Sequence, residues 1–203
     1  MTRSPTAARE RARLQVDERR SQLIELGLQL FAERTLDELS IDDIARAAGI
    51  SKGLLYHYFS SKRGYYLEVV RAAAGHLVER TSAAGVDASP AALQDGLDAY
   101  LDFVEQNARS FVALMRGGDG SDPAVLEIVE TTRRSIADRI LTRLGQDPPT
   151  PLLRTALRGW IGLVEAASLD WLERRDLPRE ALRSLCAQML IAALTAAGAM
   201  PEL

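Results

Sequence analysis

Cysteine and histidine are scarce in this 203-residue chain, and their scarcity excludes several kinds of site. The single cysteine, Cys186, cannot form an intrachain disulfide and is typical of a reducing compartment, so we expect a cytoplasmic protein. With His57 and His76 it gives too few ligands for a usual zinc site. We therefore expect no metal and no cofactor, and we expect Cys186 to be a small core residue, with redox sensing as the alternative.

Long apolar runs and strand signals are also missing. No apolar run approaches the roughly 20 residues that a membrane-spanning helix needs. The first five residues lead into an arginine-rich stretch and not an apolar one, so we expect no signal peptide. β-Branched runs are few, and apolar residues recur at spacings of three and four. This pattern predicts an all-α fold of about nine helices.

The sequence carries no common catalytic motif. It contains no Gly-x-Ser-x-Gly elbow, no phosphate-binding Gly-Lys-Ser/Thr loop and no His-Glu-x-x-His pair, so we do not expect an enzyme. The net charge is −3, divided as +2 over residues 1–80 and −5 over the remainder. So small a basic excess argues against sequence-independent coating of nucleic acid and favours docking by local geometry.

Glycine- and proline-containing breaks at 85–90, 117–123 and 145–150 divide the helical pattern. Residues 1–16 are predicted to be a basic, mobile arm that is partly helical. Beyond the arm, the predicted helices cover 17–34, two short segments within 40–59, 61–83, 90–107, 108–116, 123–144, 151–175 and 178–197.

Residues 40–59 have the features of a helix-turn-helix. Ser40 and Asp43 form the pattern of a capping box at the start of the first helix. Gly49 supplies the positive φ that a sharp turn after a helix favours, and Ser51 can cap the second helix. The inward side of the first helix is predicted to hold Ile41, Ile44, Ala45 and Ala48, and Ile50 is predicted to pack at the turn. In the second helix, the predicted inward residues are either Leu54 or Leu55, and then Phe59.

The outward residues of the second helix suit contact with DNA. Helices that enter the major groove contact bases mainly through their first residues, here Ser51, Lys52 and Gly53. Lys52 can donate to guanine acceptors, and Gly53 leaves room for close approach. Tyr56 and His57 follow one turn later and can donate to phosphate. The next helix begins near Lys62, where a helix N-terminus and a lysine can hold a phosphate.

Lysine usage supports the same segment. Although the chain has 25 basic residues, only Lys52 and Lys62 are lysines, and both lie in the segment expected to face DNA. The alternative explanation is a GC-rich coding bias that left two lysines by chance. At both positions the flexible, compact ammonium group of lysine suits contact with DNA better than the planar guanidinium group of arginine.

Taken together, these motifs resemble the TetR family of bacterial transcription regulators. The resemblance covers residues 17–77 and is closest from Leu39 to Lys62. Its elements are Phe31, Ser40-Ile41-Asp42-Asp43-Ile44-Ala45, Ala48-Gly49-Ile50-Ser51 and Leu55-Tyr56-His57-Tyr58-Phe59 followed by Ser61-Lys62. Many family members have Tyr-Tyr-His-Phe where this chain has Tyr56-His57-Tyr58-Phe59. The histidine therefore lies one residue earlier in this chain.

The resemblance implies a DNA-binding domain at 17–77 and an effector-binding and dimerisation domain at 78–203. It implies a homodimer that places the third helix of each subunit in the major groove of a palindromic operator, most often a repressor released by a small molecule. An activator or a co-repressor-dependent regulator is the alternative, and a helical protein-interaction module without DNA binding is a more remote one. The residues expected to contact DNA are Ser40, Ser51, Lys52, Gly53, Tyr56, His57, Tyr58 and Lys62.

Two further sites are expected in the second domain. Aromatic and flexible residues with a few polar partners predict an effector pocket, although ordinary core packing is an alternative for each of them. Small residues at helical offsets near 151–175 and the apolar final helix predict a dimer face, the alternative being a helix buried within a monomer. The pocket residues are Tyr100, Phe103, Gln106, Phe111, Met115, Trp160 and Glu165, with Asp102 and Asn107 as further polar candidates. The dimer-face residues are Gly159, Gly162, Ala166, Leu185, Met189 and Ala193.

Overall fold

The structure is a computed structural model that describes residues 5–83, 89–116, 122–146 and 148–199. Side chains are described from Val16 onward. The described residues form nine helices and no strand, which confirms the predicted all-α fold. The helices are α1 (Pro5–Glu33), α2 (Ile41–Ala47), α3 (Lys52–Tyr58), α4 (Lys62–Ala83), α5 (Pro90–Gln106), α6 (Ala108–Met115), α7 (Pro123–Arg143), α8 (Pro151–Arg174) and α9 (Arg179–Ala196).

The main departure from the predicted helix bounds is at the first helix. It begins at Pro5 and not near residue 17, so most of the predicted arm is helical in the structure. Alanine and arginine make up half of residues 5–16, and both are good helix formers. Residues 1–4, the side chains of residues 5–15, and most of the predicted breaks at 85–90 and 117–123 lie outside what the structure describes.

The chain divides into two compact units, and the division lies within α4 between Ala72 and Ala73. We call residues up to 72 the N-terminal unit and those from 73 the C-terminal unit. The boundary predicted from sequence, between residues 77 and 78, lies in the same helix.

Tyr65 of α4 is the centre of the N-terminal unit. Its side chain is fully buried, its hydroxyl donates to the carbonyl of Leu23 at 2.6 Å, and its ring packs edge-on against Phe59 at 4.8 Å between centroids. Gly27 of α1 lies directly against it, since a Cβ at residue 27 would be 2.6 Å from the Tyr65 hydroxyl. α1 and α4 can therefore approach closely only because residue 27 has no side chain.

The C-terminal unit is built around α8, which packs against α5, α6, α7 and α9. Both tryptophans of the chain lie on α8 and are buried. Trp160 donates its indole N–H to the carbonyl of Cys186 at 2.8 Å, and Trp171 donates to Leu177 at 2.7 Å. Burial raises the pKa of the Cys186 thiol to about 11, so it remains protonated at neutral pH, as a core residue does.

A search of the described residues for a helix long and apolar enough to cross a membrane finds none.

Candidate nucleic-acid interface

The start of α2 is held by the predicted capping box. The Ser40 hydroxyl accepts from the amide of Asp43 at 3.1 Å, and the Asp43 carboxylate accepts from the amide of Ser40 at 3.1 Å. Hydrogen bonds from the Ser40 hydroxyl and amide lower the pKa of Asp43, and Arg46 at 3.0 Å acts in the same direction. Asp43 is therefore a fixed anion that ties α2 to the segment before it.

The turn between α2 and α3 has the predicted geometry. Gly49 adopts φ +63°, and a Cβ there would meet nothing within 4 Å, so the backbone conformation and not crowding favours glycine. The Ser51 hydroxyl then accepts from the amide of Leu54 at 3.1 Å and caps α3. Both ends of the turn are set by short-range interactions, which explains why they could be predicted.

α3 is anchored by one apolar side. Leu55 is fully buried and Phe59, just after the helix, is 4% exposed, whereas Leu54 is 40% exposed. The sequence left Leu54 and Leu55 as alternatives, and the structure selects Leu55. The opposite side of α3 is therefore turned away from the core.

The residues expected to contact DNA are mostly on that outer side. Ser40, Ser51, Lys52, Gly53, Tyr56 and His57 are exposed, and Tyr58 and Lys62 are half-buried. The Tyr58 ring lies edge-on to His57 at 5.5 Å between centroids. On a helix of 3.6 residues per turn, positions 52, 53, 56 and 57 occupy one continuous arc.

Gly53 has no internal packing reason to be glycine. A Cβ at this position would lie no closer than 4.0 Å to the Ser51 hydroxyl, which is ordinary contact. Glycine inside a helix costs about 0.5–1 kcal/mol relative to alanine. The missing side chain therefore leaves space on the outer surface of α3 and not inside the protein.

Lys52 makes an ion pair that the sequence did not predict. Its ammonium Nζ lies 3.0 Å from Oδ2 of Asp42 in the first turn of α2, and the two side chains are 48% and 59% exposed. Ten residues separate them along two different helices, so no periodicity rule connects them. The pair places a carboxylate next to the cation expected to read a base.

Lys62 begins α4, and the Ser61 hydroxyl accepts from the amide of Gly64 at 2.9 Å. This is the helix start expected from Ser60, Ser61 and Lys62. It brings a cation and the first amides of a helix together, which is a favourable arrangement for an anion such as phosphate.

The expected pocket residues fall into two groups. Trp160 and Phe111 are buried, Tyr100, Phe103 and Met115 are half-buried, and all lie within the C-terminal unit. The polar candidates at the end of α5 have partners within the protein. Gln106 is exposed and accepts from Arg80 at 2.9 Å, Asp102 pairs with Arg179 at 2.6 Å, and Asn107 donates to the carbonyl of Phe103 at 2.8 Å.

Glu165 is paired and not alone. Its two carboxylate oxygens accept from Arg133 of α7 at 2.9 and 2.7 Å, and these bonds raise the pKa of Arg133 against the opposing effect of burial. Nearby, the hydroxyl oxygens of Tyr100 and Ser168 are buried and make no hydrogen bond among the described residues. Burial raises the pKa of Tyr100, and the neighbouring Ser168 hydroxyl opposes that rise without reaching hydrogen-bond geometry.

The expected dimer-face residues lie largely on the surface of the C-terminal unit. Leu185 and Met189 are 45% and 39% exposed, and a Cβ added at Gly159 or Gly162 would meet nothing within 4 Å. Ala166 is exposed, while Ala193 is half-buried beside the exposed Ala192.

Known proteins match both units. The family described as "Bacterial regulatory proteins, tetR family" matches residues 23–69, and "Tetracyclin repressor-like, C-terminal domain" matches residues 90–193. A crystal structure of a tetR-family transcriptional regulator from Streptomyces coelicolor superposes with a TM-score of 0.81, is 35% identical, and covers 90% of this chain and 83% of its own. The chain belongs to the TetR family.

Two curated TetR-family relatives have similar coverage. The transcriptional repressor KstR2 of Rhodococcus jostii is 30% identical over 163 residues, which are 80% of this chain and 71% of that protein. The transcriptional activator FasR of Mycolicibacterium smegmatis is 29% identical over 160 residues, 78% and 72% of the two chains. The chain is thus a TetR-family helix-turn-helix regulator that binds DNA, and its relatives include both a repressor and an activator.

Proposed function

We propose that this TetR-family regulator is a homodimeric repressor that binds a palindromic operator and is released by a small-molecule effector. The observation that carries the DNA-contact part is the outer arc of α3. It is exposed and polar, it carries the ammonium group of Lys52, and it has a glycine that internal packing does not require. The core of a protein–protein interface is depleted of lysine and other charged residues, whereas this arc carries Lys52. The base-reading role falls to Ser51, Lys52 and Gly53, and phosphate contact to Ser40, Tyr56, His57, Tyr58 and Lys62.

The apolar faces of α8 and α9 support the homodimer. Leu185 and Met189 are one helical turn apart, and Gly159 and Gly162 leave open space on α8. A two-fold interface from these helices would cover them in both subunits. The proposed face consists of Gly159, Gly162, Ala166, Leu185, Met189 and Ala193.

The effector site is proposed within the C-terminal unit around Tyr100. Two buried hydroxyls without hydrogen bonds, those of Tyr100 and Ser168, are costly unless a ligand or water satisfies them. Since Glu165 is neutralised by Arg133, we expect this end of the effector to be uncharged. Apolar contact is expected from Phe103, Phe111, Met115 and Trp160.

Selection of bound duplexes from a random library by the purified full-length chain tests the DNA-contact proposal. The expected result is enrichment of an inverted repeat whose half-sites lie about 34–36 Å apart, or a multiple of that distance. Failure to retain any duplex would overturn it. Placing the enriched operator over or upstream of a reporter promoter then distinguishes repression from the activation named for FasR.

Lys52→Ala is expected to weaken binding to the selected operator by about 1–3 kcal/mol in each half-site, roughly 5- to 150-fold per half-site. It should also relax the preference at one base pair in each half-site, because a base contact is lost. Fluorescence anisotropy with the operator and its single-base variants measures both effects. Operator binding equal to that of the parent would contradict the base-reading role of Lys52.

Lys62→Ala is expected to weaken all duplexes alike. A phosphate contact carries no sequence information, so operator and scrambled duplex should lose the same factor, and the slope of log K against log[salt] should become shallower by about 0.9 per subunit, or about 1.8 for the dimer. The measurement is the same titration repeated across salt concentrations. A changed base preference in this variant would contradict the phosphate role.

A further inference from the structure

Asp42 is placed where it can control the cation expected to read a base. Its Oδ2 lies 3.0 Å from Lys52 Nζ, and this contact links the first turn of α2 to the first residue of α3. The capping box of α2 uses Asp43, so the carboxylate of Asp42 takes no part in the cap. Both partners are exposed, and an exposed pair of this kind adds little to stability.

We propose that Asp42 is a specificity-determining residue that suppresses binding to non-operator DNA by neutralising Lys52. The inference rests on the proposed function, in which α3 lies against the bases. It assigns Asp42 no contact of its own with DNA.

The physical basis is the difference between phosphate and base contacts. Sequence-independent binding depends on the number of phosphates neutralised by protein cations. Lys52 paired with Asp42 adds no net charge to that contact, and Asp42 itself is repelled by the phosphates. A guanine edge, in contrast, offers neutral acceptors, and an ammonium has three donors. Lys52 can therefore keep Asp42 and donate to a base at the same time.

Asp42→Asn is expected to strengthen binding to a scrambled duplex at 0.15 M salt by about five-fold per subunit, or about 30-fold for the proposed dimer, because each subunit makes one more cation available to phosphate at a slope of about 0.9 per contact. The salt slope for scrambled DNA should steepen by about 0.9 per subunit, or about 1.8 for the dimer. Affinity for the operator, selected with the parent chain, should change less. The ratio of operator to scrambled affinity should therefore fall several-fold.

Two controls isolate the pair. Asp37→Asn removes the same charge from an exposed carboxylate of the N-terminal unit and should leave the operator-to-scrambled ratio unchanged. In a Lys52→Gln background, Asp42→Asn should no longer lower the ratio, because the cation that Asp42 controls is absent. Thermal melting of each variant verifies that the fold is retained.

The outcomes separate this inference from the proposed function. If the parent retains no duplex, the proposed function fails. If the parent binds its operator but Asp42→Asn shifts operator and scrambled affinity by the same factor, the specificity role of Asp42 is wrong. A fall in the ratio that persists in the Lys52→Gln background would also overturn it, since Asp42 would then act without Lys52.

Discussion

Replacing Tyr65 with alanine is expected to lower the free energy of unfolding of the N-terminal unit by about 3–5 kcal/mol. The side chain is fully buried and packs against Phe59 and Phe31, at 4.8 and 6.1 Å between ring centroids. Its hydroxyl is bonded to the Leu23 carbonyl. The substitution therefore leaves a cavity between α1 and α4 and removes the hydrogen bond from residue 65 to the Leu23 carbonyl.

Hydrogen exchange of the full-length chain measures the loss of stability within the N-terminal unit. Amides from residues 23–69 should exchange faster in Tyr65→Ala, and operator binding should fall because α3 loses its support. Both tryptophans lie in the C-terminal unit, so their fluorescence reports separately on that unit and should change little.

Tyr65→Phe is the matched control. It keeps the ring and removes only the hydrogen bond to Leu23, so we expect a loss of about 1 kcal/mol. If the phenylalanine and alanine variants lost the same stability, the ring packing would not be what holds α1 to α4.

Tyr65 also shows where sequence periodicity reaches its limit. The pattern of α4 predicts one inward face with Tyr66, Leu67, Val70, Ala74, Leu77 and Val78. Of these six residues Tyr66, Leu67 and Leu77 are buried, and the other three are half-buried. Tyr65 and Val69 are more deeply buried still and were missed. A single periodic face describes contact with one neighbour, whereas the first half of α4 is covered on more than one side.

The helix-turn-helix could be predicted closely because its signals are local. Ser40, Gly49 and Ser51 act within three residues of their own positions, through caps and a positive φ. In contrast, α3 has only seven residues, too few for periodicity to decide between Leu54 and Leu55. Burial decides it, and burial depends on the helices around α3.

The remaining features of the candidate sites depend on contacts between distant parts of the chain. A carboxylate in an apolar stretch of helix is costly unless it is paired, but the sequence alone does not identify Arg133, 32 residues away on another helix, as the partner of Glu165. The Asp42–Lys52 pair likewise joins two helices whose relative placement the sequence does not state. The sequence predicts that a charged side chain needs a partner, whereas the identity of that partner depends on how the helices pack.

Leu185→Glu combined with Met189→Glu is expected to convert the proposed homodimer into monomers. The two side chains lie one turn apart on α9 and are 45% and 39% exposed. In a two-fold interface every substitution occurs twice, so four apolar side chains, each contributing about 1.5–3 kcal/mol when fully buried, become carboxylates facing one another. Sedimentation equilibrium at micromolar concentration should then give the monomer mass.

Operator binding by this double variant should fall by about 10²-fold or more. In a dimer, binding of one α3 raises the effective concentration of the other α3 at the second half-site, and monomers lose this effect. Leu126→Glu with Leu177→Glu is the charge-matched control. It adds the same two carboxylates at exposed leucines, 52% and 39% exposed, outside the proposed face. The control should keep the dimer mass and most of its affinity, which separates loss of the dimer from simple repulsion of DNA. A parent that sediments as a monomer, or a Leu185/Met189 variant that still sediments as a dimer, would show that α9 is not the dimer face.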